Sequence, residues 1–162
     1  MIDFLHSRRV FLAAAVLLAA SPAGVLAESR LLPRDFDPSR DPARDLDAAL
    51  RIARASNRNV IVDVGGEWCS WCHIMDRFFA GDPDLDGLRD RNFVWLKVNY
   101  SKENPNEVFL RRWPRIEAYP HLFVLDATGR LLHSQDTGSL ESGKTYDPVA
   151  VHAFLVKWAP VR

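Results

Sequence analysis

The chain is poor in cysteine: 162 residues hold two, Cys69 and Cys72. A framework of disulfide staples is thereby excluded, because a cross-link stabilises mainly through the loop it closes and a two-residue spacer closes almost none. An excess of either charge is also missing, with 21 basic and 21 acidic side chains. Nothing in that balance makes an electrostatic case for nucleic acid or an anionic membrane surface. Long hydrophobic runs are absent too. A spanning helix needs about 20 apolar residues, and the run from Val10 to Ala20 is shorter than that. Internal repeats and low-complexity tracts are absent, and beyond Met1 the only methionine is Met75.

What the N-terminus does have is the layout of an export signal. Arg8 and Arg9 precede the apolar run, and Val25-Leu26-Ala27 supplies small residues for cleavage before Glu28. Residues 1–27 are therefore expected to be a signal peptide, and Ser7-Arg8-Arg9-Val10-Phe11-Leu12 resembles a bacterial twin-arginine signal. Either export route leads to the periplasm or beyond. The segment holds Asp3 and the two arginines, so the remaining 135 residues carry 19 basic and 20 acidic groups. That length suits one domain with one core, expected to be monomeric.

Residues 28–40 are charged, contain two prolines and lack periodicity, and read as an extended arm. A domain over 41–162 follows. Asp41-Pro42 is an N-cap followed by proline at the first helical position, and Leu46, Leu50 and Ala53 carry the helix to about Ser56. Val60–Val64 and Phe93–Val98 read as buried strands. A helix from Cys69 to about Gly81 and a short one over 106–113 come next in the pattern. Leu122–Leu125 and Arg130–Ser134 are further strands, Gln135–Tyr146 is a polar loop, and Asp147-Pro148 opens a last helix through Val151, Leu155 and Trp158. Strands alternating with helices imply parallel pairing, closed by an antiparallel hairpin, in a small α/β sandwich with a mixed sheet.

The chemistry centres on Trp68-Cys69-Ser70-Trp71-Cys72-His73. Cys-x-x-Cys between a strand and a helix is a thiol–disulfide redox motif. Cys-x-x-Cys-His is also the attachment pattern of a c-type haem. The haem reading fits the alternating pattern poorly, and Met75 lies too close to His73 to reach the opposite face of a haem, although His121, His133 or His152 would supply a second ligand in principle. A third reading makes Cys69, Cys72 and His73 ligands of copper or zinc, on a module that binds metal or a partner without catalysis. Three adjacent ligands are poor geometry for a closed site.

Four features in order resemble the thioredoxin superfamily: Trp68-Cys69-x-x-Cys72, Asp63 six residues before Cys69, Lys97 in the second strand, and Tyr119-Pro120 before the third. The resemblance covers roughly residues 43–159 and implies a three-layer sandwich with a mixed central sheet flanked by helices. It implies a thiol–disulfide oxidoreductase that needs no cofactor. Its partners would be protein disulfides or dithiols, with a membrane electron donor or acceptor behind them. Cys69, at a helix N-terminus where unpaired N–H groups favour a thiolate, is the expected nucleophile, and Cys72 the resolving thiol. Asp63, with a carboxyl raised by burial, is the expected base for Cys72, and Lys97 either pairs with it or snorkels outward. Pro120 is expected to be cis, beside an edge where a substrate strand pairs. Trp68, Trp71 and Tyr119 are candidate substrate contacts, and His73 a tuning cation. Ser70-Trp71 replaces the glycine-proline usual between thioredoxin cysteines, so the family potential is not carried over. Asp63 and Lys97 match the reducing branch, which favours a reductase or interchange role.

Overall fold

A computed structural model describes residues 31–161. The expected export segment and the first residues of the arm lie outside them. Helix α1 (Pro42–Ser56) begins as expected: the Asp41 carboxylate accepts from the N–H groups of Ala43 and Arg44, at 2.9 and 3.3 Å. Its apolar stripe, Leu46, Ala49, Ile52 and Ala53, is buried. It ends at Asn57, whose left-handed φ of 50° suits a small polar residue. Strand β1 (Asn59–Gly65) is buried along its whole length, as a central strand covered on both faces must be.

Helix α2 (Ser70–Gly81) and helix α3 (Pro83–Asn92) follow, then strand β2 (Phe93–Asn99), one turn of helix α4 (Glu107–Leu110), strand β3 (His121–Leu125) and strand β4 (Leu131–Asp136). The sheet runs β2-β1-β3-β4. A 3-10 turn (Thr137–Leu140), the two-residue strands β5 (Glu141–Ser142) and β6 (Thr145–Tyr146), and helix α5 (Pro148–Trp158) complete the described chain. Side chains alternate across β1, which divides the core. Val60, Val62 and Val64 join α1 and Phe109 on one face. Ile61 joins Met75, Phe79, Leu85, Phe154 and Leu155 on the other. This is a thioredoxin-like three-layer sandwich.

Three details differ from expectation. Parallel pairing holds for β1 and β2 alone, and β3 runs antiparallel to β1, with His121 opposite Val64. The link over residues 100–120 holds one four-residue helix, which rises about 6 Å; it passes over β1 beside Phe109 without running back along the strands, so β3 starts at the end where β2 stops. Secondly, α3 has the same Asp-Pro start as α1, but Leu85 and Leu88 are its only large apolar side chains, too few to show a helical period. Thirdly, the polar loop is partly structured. Strand β4 runs on to Asp136, and Thr137, Leu140 and Tyr146 are buried.

The arm is also more than an extended tail. It carries no helix or strand over 31–40, yet Phe36 is 1% exposed. Burying a phenylalanine is worth roughly 1.5–3 kcal/mol. Arg40 Nε donates to Asp45 at 2.6 Å, and Asn104 Nδ2 donates to the Pro38 carbonyl at 2.8 Å.

The Asp82 carboxylate caps α3 by accepting from the N–H groups of Asp84 and Leu85, at 3.1 and 3.0 Å. Asp82→Ala is therefore expected to cost about 1 kcal/mol, read as a lower urea midpoint. An unchanged midpoint would show that α3 does not depend on its cap.

Candidate active site

Strands β1 and β2 end, and β3 begins, at the same edge of the sheet. The turn after β1 delivers Cys69 as the N-cap of α2, in extended backbone at φ −89° and ψ 102°. Cys69 and Cys72 form a disulfide with Cα atoms 5.3 Å apart. The Cys72 N–H points at Cys69 Sγ, 3.1 Å away. A charge forming on Cys69 would therefore meet an amide donor and the positive end of the helix dipole. Cys69 is 4% and Cys72 1% exposed.

Aromatic side chains form the rim. Trp68 is 58% exposed, held by a 2.7 Å hydrogen bond from Nε1 to the Tyr100 carbonyl. Its ring meets Tyr119 edge-on at 5.5 Å, and Tyr119 stacks on Tyr100 at 4.9 Å. Tyr119 also packs on the cluster formed by the two cysteines and Phe36. The Tyr119–Pro120 peptide is cis. The Pro120 carbonyl accepts from Thr137 Oγ1 at 2.7 Å, so the segment expected as a polar loop supports this corner. Trp71 is half-buried, its ring edge-on to Tyr146 at 5.5 Å, leaving Trp68 as the open indole of the motif. His73 Nε2 shares a 2.8 Å hydrogen bond with the Glu67 carbonyl.

A buried charge cluster lies along the same face of β1, starting at Asp63, two residues before the Gly65 that Cys72 Sγ abuts. Asp63 and Lys97 are register partners across β1 and β2, so their side chains leave the same face of the sheet. Lys97 Nζ donates to Asp63 Oδ2 at 3.2 Å and to Asp76 Oδ1 at 2.8 Å. Lys97 thus pairs inward rather than snorkelling. Trp95 Nε1 donates to the same Asp63 oxygen at 3.1 Å, while Asp63 Oδ1 is buried without a partner among the described residues. Burial pushes the Asp63 carboxyl up, and Lys97 and Trp95 offset only part of that. Burial pushes Lys97 down, but the two carboxylates outweigh it, and its ammonium is held above the ordinary lysine value.

The structure thus gathers Cys69, Cys72, Trp68, Trp71, Tyr119 and Pro120 at one edge, with Asp63 and Lys97 on the strands that end there. Sequence reasoning passed over Asp76, Trp95 and Phe36. Asp76 carried a usable signal, lying four residues after Cys72 and so one turn along the same helix. Trp95 stands two residues before Lys97 and therefore on the same face of the strand. Phe36 carried none, since no periodicity in the arm marks it.

The pH dependence of stability tests the cluster. The folded Asp63 value lies above its ordinary 3.8. The stability this confers is complete below the unfolded value and is lost as pH rises through the folded one, by about 1.4 kcal/mol for each pH unit between them. Asp63→Asn removes that slope and leaves Lys97 its Asp76 partner. Urea midpoints from about pH 4 to about pH 8 should show the wild type losing stability relative to this variant as pH rises. A difference that stays constant would contradict a raised carboxyl.

Comparison with known proteins places the geometry. A family model described as thioredoxin-like matches residues 41–127, more than half the chain. A thiol:disulfide interchange protein, DsbD, of Pseudomonas fluorescens is 28% identical over 129 residues, which are 78% of this chain and 20% of that protein. DsbD of Klebsiella pneumoniae is 27% identical over 86 residues, 53% of this chain and 14% of that protein. The chain therefore spans a fifth or less of these relatives. Among solved structures, a disulphide isomerase from Xylella fastidiosa superposes with a TM-score of 0.65 at 18% identity, covering 78% of this chain and 95% of the other. The Neisseria meningitidis DsbD C-terminal domain in its oxidised form gives 0.51 at 17%, covering 70% and 93%. The chain belongs to the thioredoxin-like family.

Proposed function

We propose that this protein exchanges disulfides with protein partners in the periplasm, working as a reductase or interchange enzyme. The observation that carries the reading is the Cys69–Cys72 disulfide at a helix N-terminus, with Cys72 Sγ against Gly65 and the buried Asp63 two residues earlier on the same face of β1. In the reducing direction the Cys69 thiolate attacks one sulfur of a partner disulfide. The partner's S–S bond breaks, and its leaving thiolate takes up a proton. Cys72 then gives its proton to Asp63 and attacks Cys69 Sγ. The Cys69–Cys72 bond forms as the mixed disulfide breaks, and the partner leaves with two thiols. Two electrons have passed from the protein to the partner, and a membrane-borne dithiol would restore them.

Trp68 and Tyr119 give the partner an aromatic platform beside the sulfurs, and the backbone next to Pro120 gives it an edge to pair with. His73 steadies the turn through Glu67. Export by the signal at 1–27 brings the 41–162 domain to the compartment where such exchange is needed, and no helix among the described residues is long and apolar enough to cross a membrane. The related proteins named for thiol:disulfide interchange support this reading. The haem alternative calls for a mostly helical protein, and a four-stranded sheet lies at the centre of this one.

Cys72→Ser should accumulate a mixed disulfide between Cys69 and a protein disulfide substrate on a non-reducing gel, while Cys69→Ser should form none. Adducts held equally through either cysteine would remove Cys69 as the nucleophile. Trp68→Ala should raise KM for a protein substrate about tenfold, as expected of a contact worth more than 1 kcal/mol, with kcat little changed. An unchanged KM would take Trp68 out of the docking surface.

A further inference from the structure

The arm reaches the redox site through one side chain. Phe36 forms a buried cluster with Cys69 and Cys72, against Trp71 and Tyr119. The space is shared closely: a Cβ added at Gly65 would run into Cys72 Sγ and come within 3.0 Å of Phe36 Cζ. The absence of a side chain at Gly65 lets the sulfur and the ring approach the same point of the backbone. On its other side, the Phe36 ring lies 4.1 Å from Lys97 Nζ. Its backbone N–H donates to Glu67 Oε1 at 3.1 Å, and Glu67 belongs to the turn that carries the cysteines. The arm is tied down around it by Arg40, which donates to Asp45 and, at 3.0 Å, to the Leu31 carbonyl.

We propose that Phe36 is a positioning residue for exchange, covering the Cys72 sulfur so that incoming thiols and disulfides meet Cys69 alone. This rests on the proposed exchange chemistry. Which sulfur is attacked decides the outcome, because a partner joined to Cys72 leaves the wrong cysteine to resolve it. The helix N-terminus favours a charge on Cys69 but does nothing to block Cys72. An apolar ring over Cys72 excludes both water and reagent. The arm is thus a working part of the site.

The test uses the full exported chain in a Cys69→Ser background, where Cys72 is the single thiol. Its alkylation by iodoacetamide is followed at fixed pH. Phe36→Ala should speed the reaction about tenfold, since access governs a covered thiol. Phe36→Leu, which keeps an apolar plug and tolerates folding better, should give an intermediate rate. Rates unchanged in both variants, even with a lower melting temperature, would overturn the proposal and leave Phe36 as packing only. Disulfide exchange by the otherwise wild-type protein is measured alongside. If it exchanges and Cys72 stays equally shielded in the variants, the arm proposal fails alone. If it does not exchange, the functional reading fails and this proposal with it.

Discussion

The organising constraint is a carboxylate buried inside the sheet. A charge taken from water into a protein interior must be paired or neutralised, and Asp63 is 1% exposed in the central strand. Its neighbours follow from that. Lys97 stands opposite it in parallel register, Trp95 reaches the same oxygen, and Asp76 holds the far side of the lysine from α2. Sheet, helix and arm all converge on this cluster, because Phe36 covers the lysine from above. Cys72 Sγ lies against Gly65, two residues along the same strand face from a carboxyl whose proton is held by burial and loosened in part by the cation beside it.

The same sheet edge also sets up the other half of the chemistry. Parallel pairing of β1 and β2 brings two strand ends together, and because β3 runs antiparallel to β1, Tyr119 and Pro120 enter it at that same end. The motif turn enters α2 with Cys69 at its cap, so the sulfur nearest the dipole is also beside the aromatic rim. The two sulfurs, three positions apart, therefore sit in different surroundings. Cys69 Sγ faces the Cys72 N–H at the helix end, whereas Cys72 Sγ lies beside Gly65 and the ring of Phe36.

Much of this was legible in the chain. Asp41-Pro42 and Asp147-Pro148 start helices where their capping chemistry says they should, and the apolar runs at Val60 and Phe93 are strands β1 and β2, the first inside the sheet and the second at its edge. The cysteine pair, Asp63, Lys97 and Tyr119-Pro120 were marked by spacing and by resemblance. What could not be read has a common physical cause: it rests on contacts between residues far apart in sequence. Phe36 lies 36 positions before Cys72 in a segment without period. Tyr146 and Thr137 sit in a polar stretch whose burial depends on Trp71 and Pro120. Helix α3 is the local exception: it shows too few apolar side chains to declare itself, and its Asp82-Pro83 cap went unread.

The most direct test of the account is the redox equilibrium of the Cys69–Cys72 pair, measured by thiol trapping of the purified protein in dithiothreitol and glutathione buffers. The account predicts one reversible two-electron couple, with a potential nearer the roughly −270 mV of thioredoxin than the roughly −120 mV of a strong periplasmic oxidant. A couple near the oxidant would reverse the direction assigned here. The absence of any reversible couple would contradict the claim that this pair exchanges disulfides.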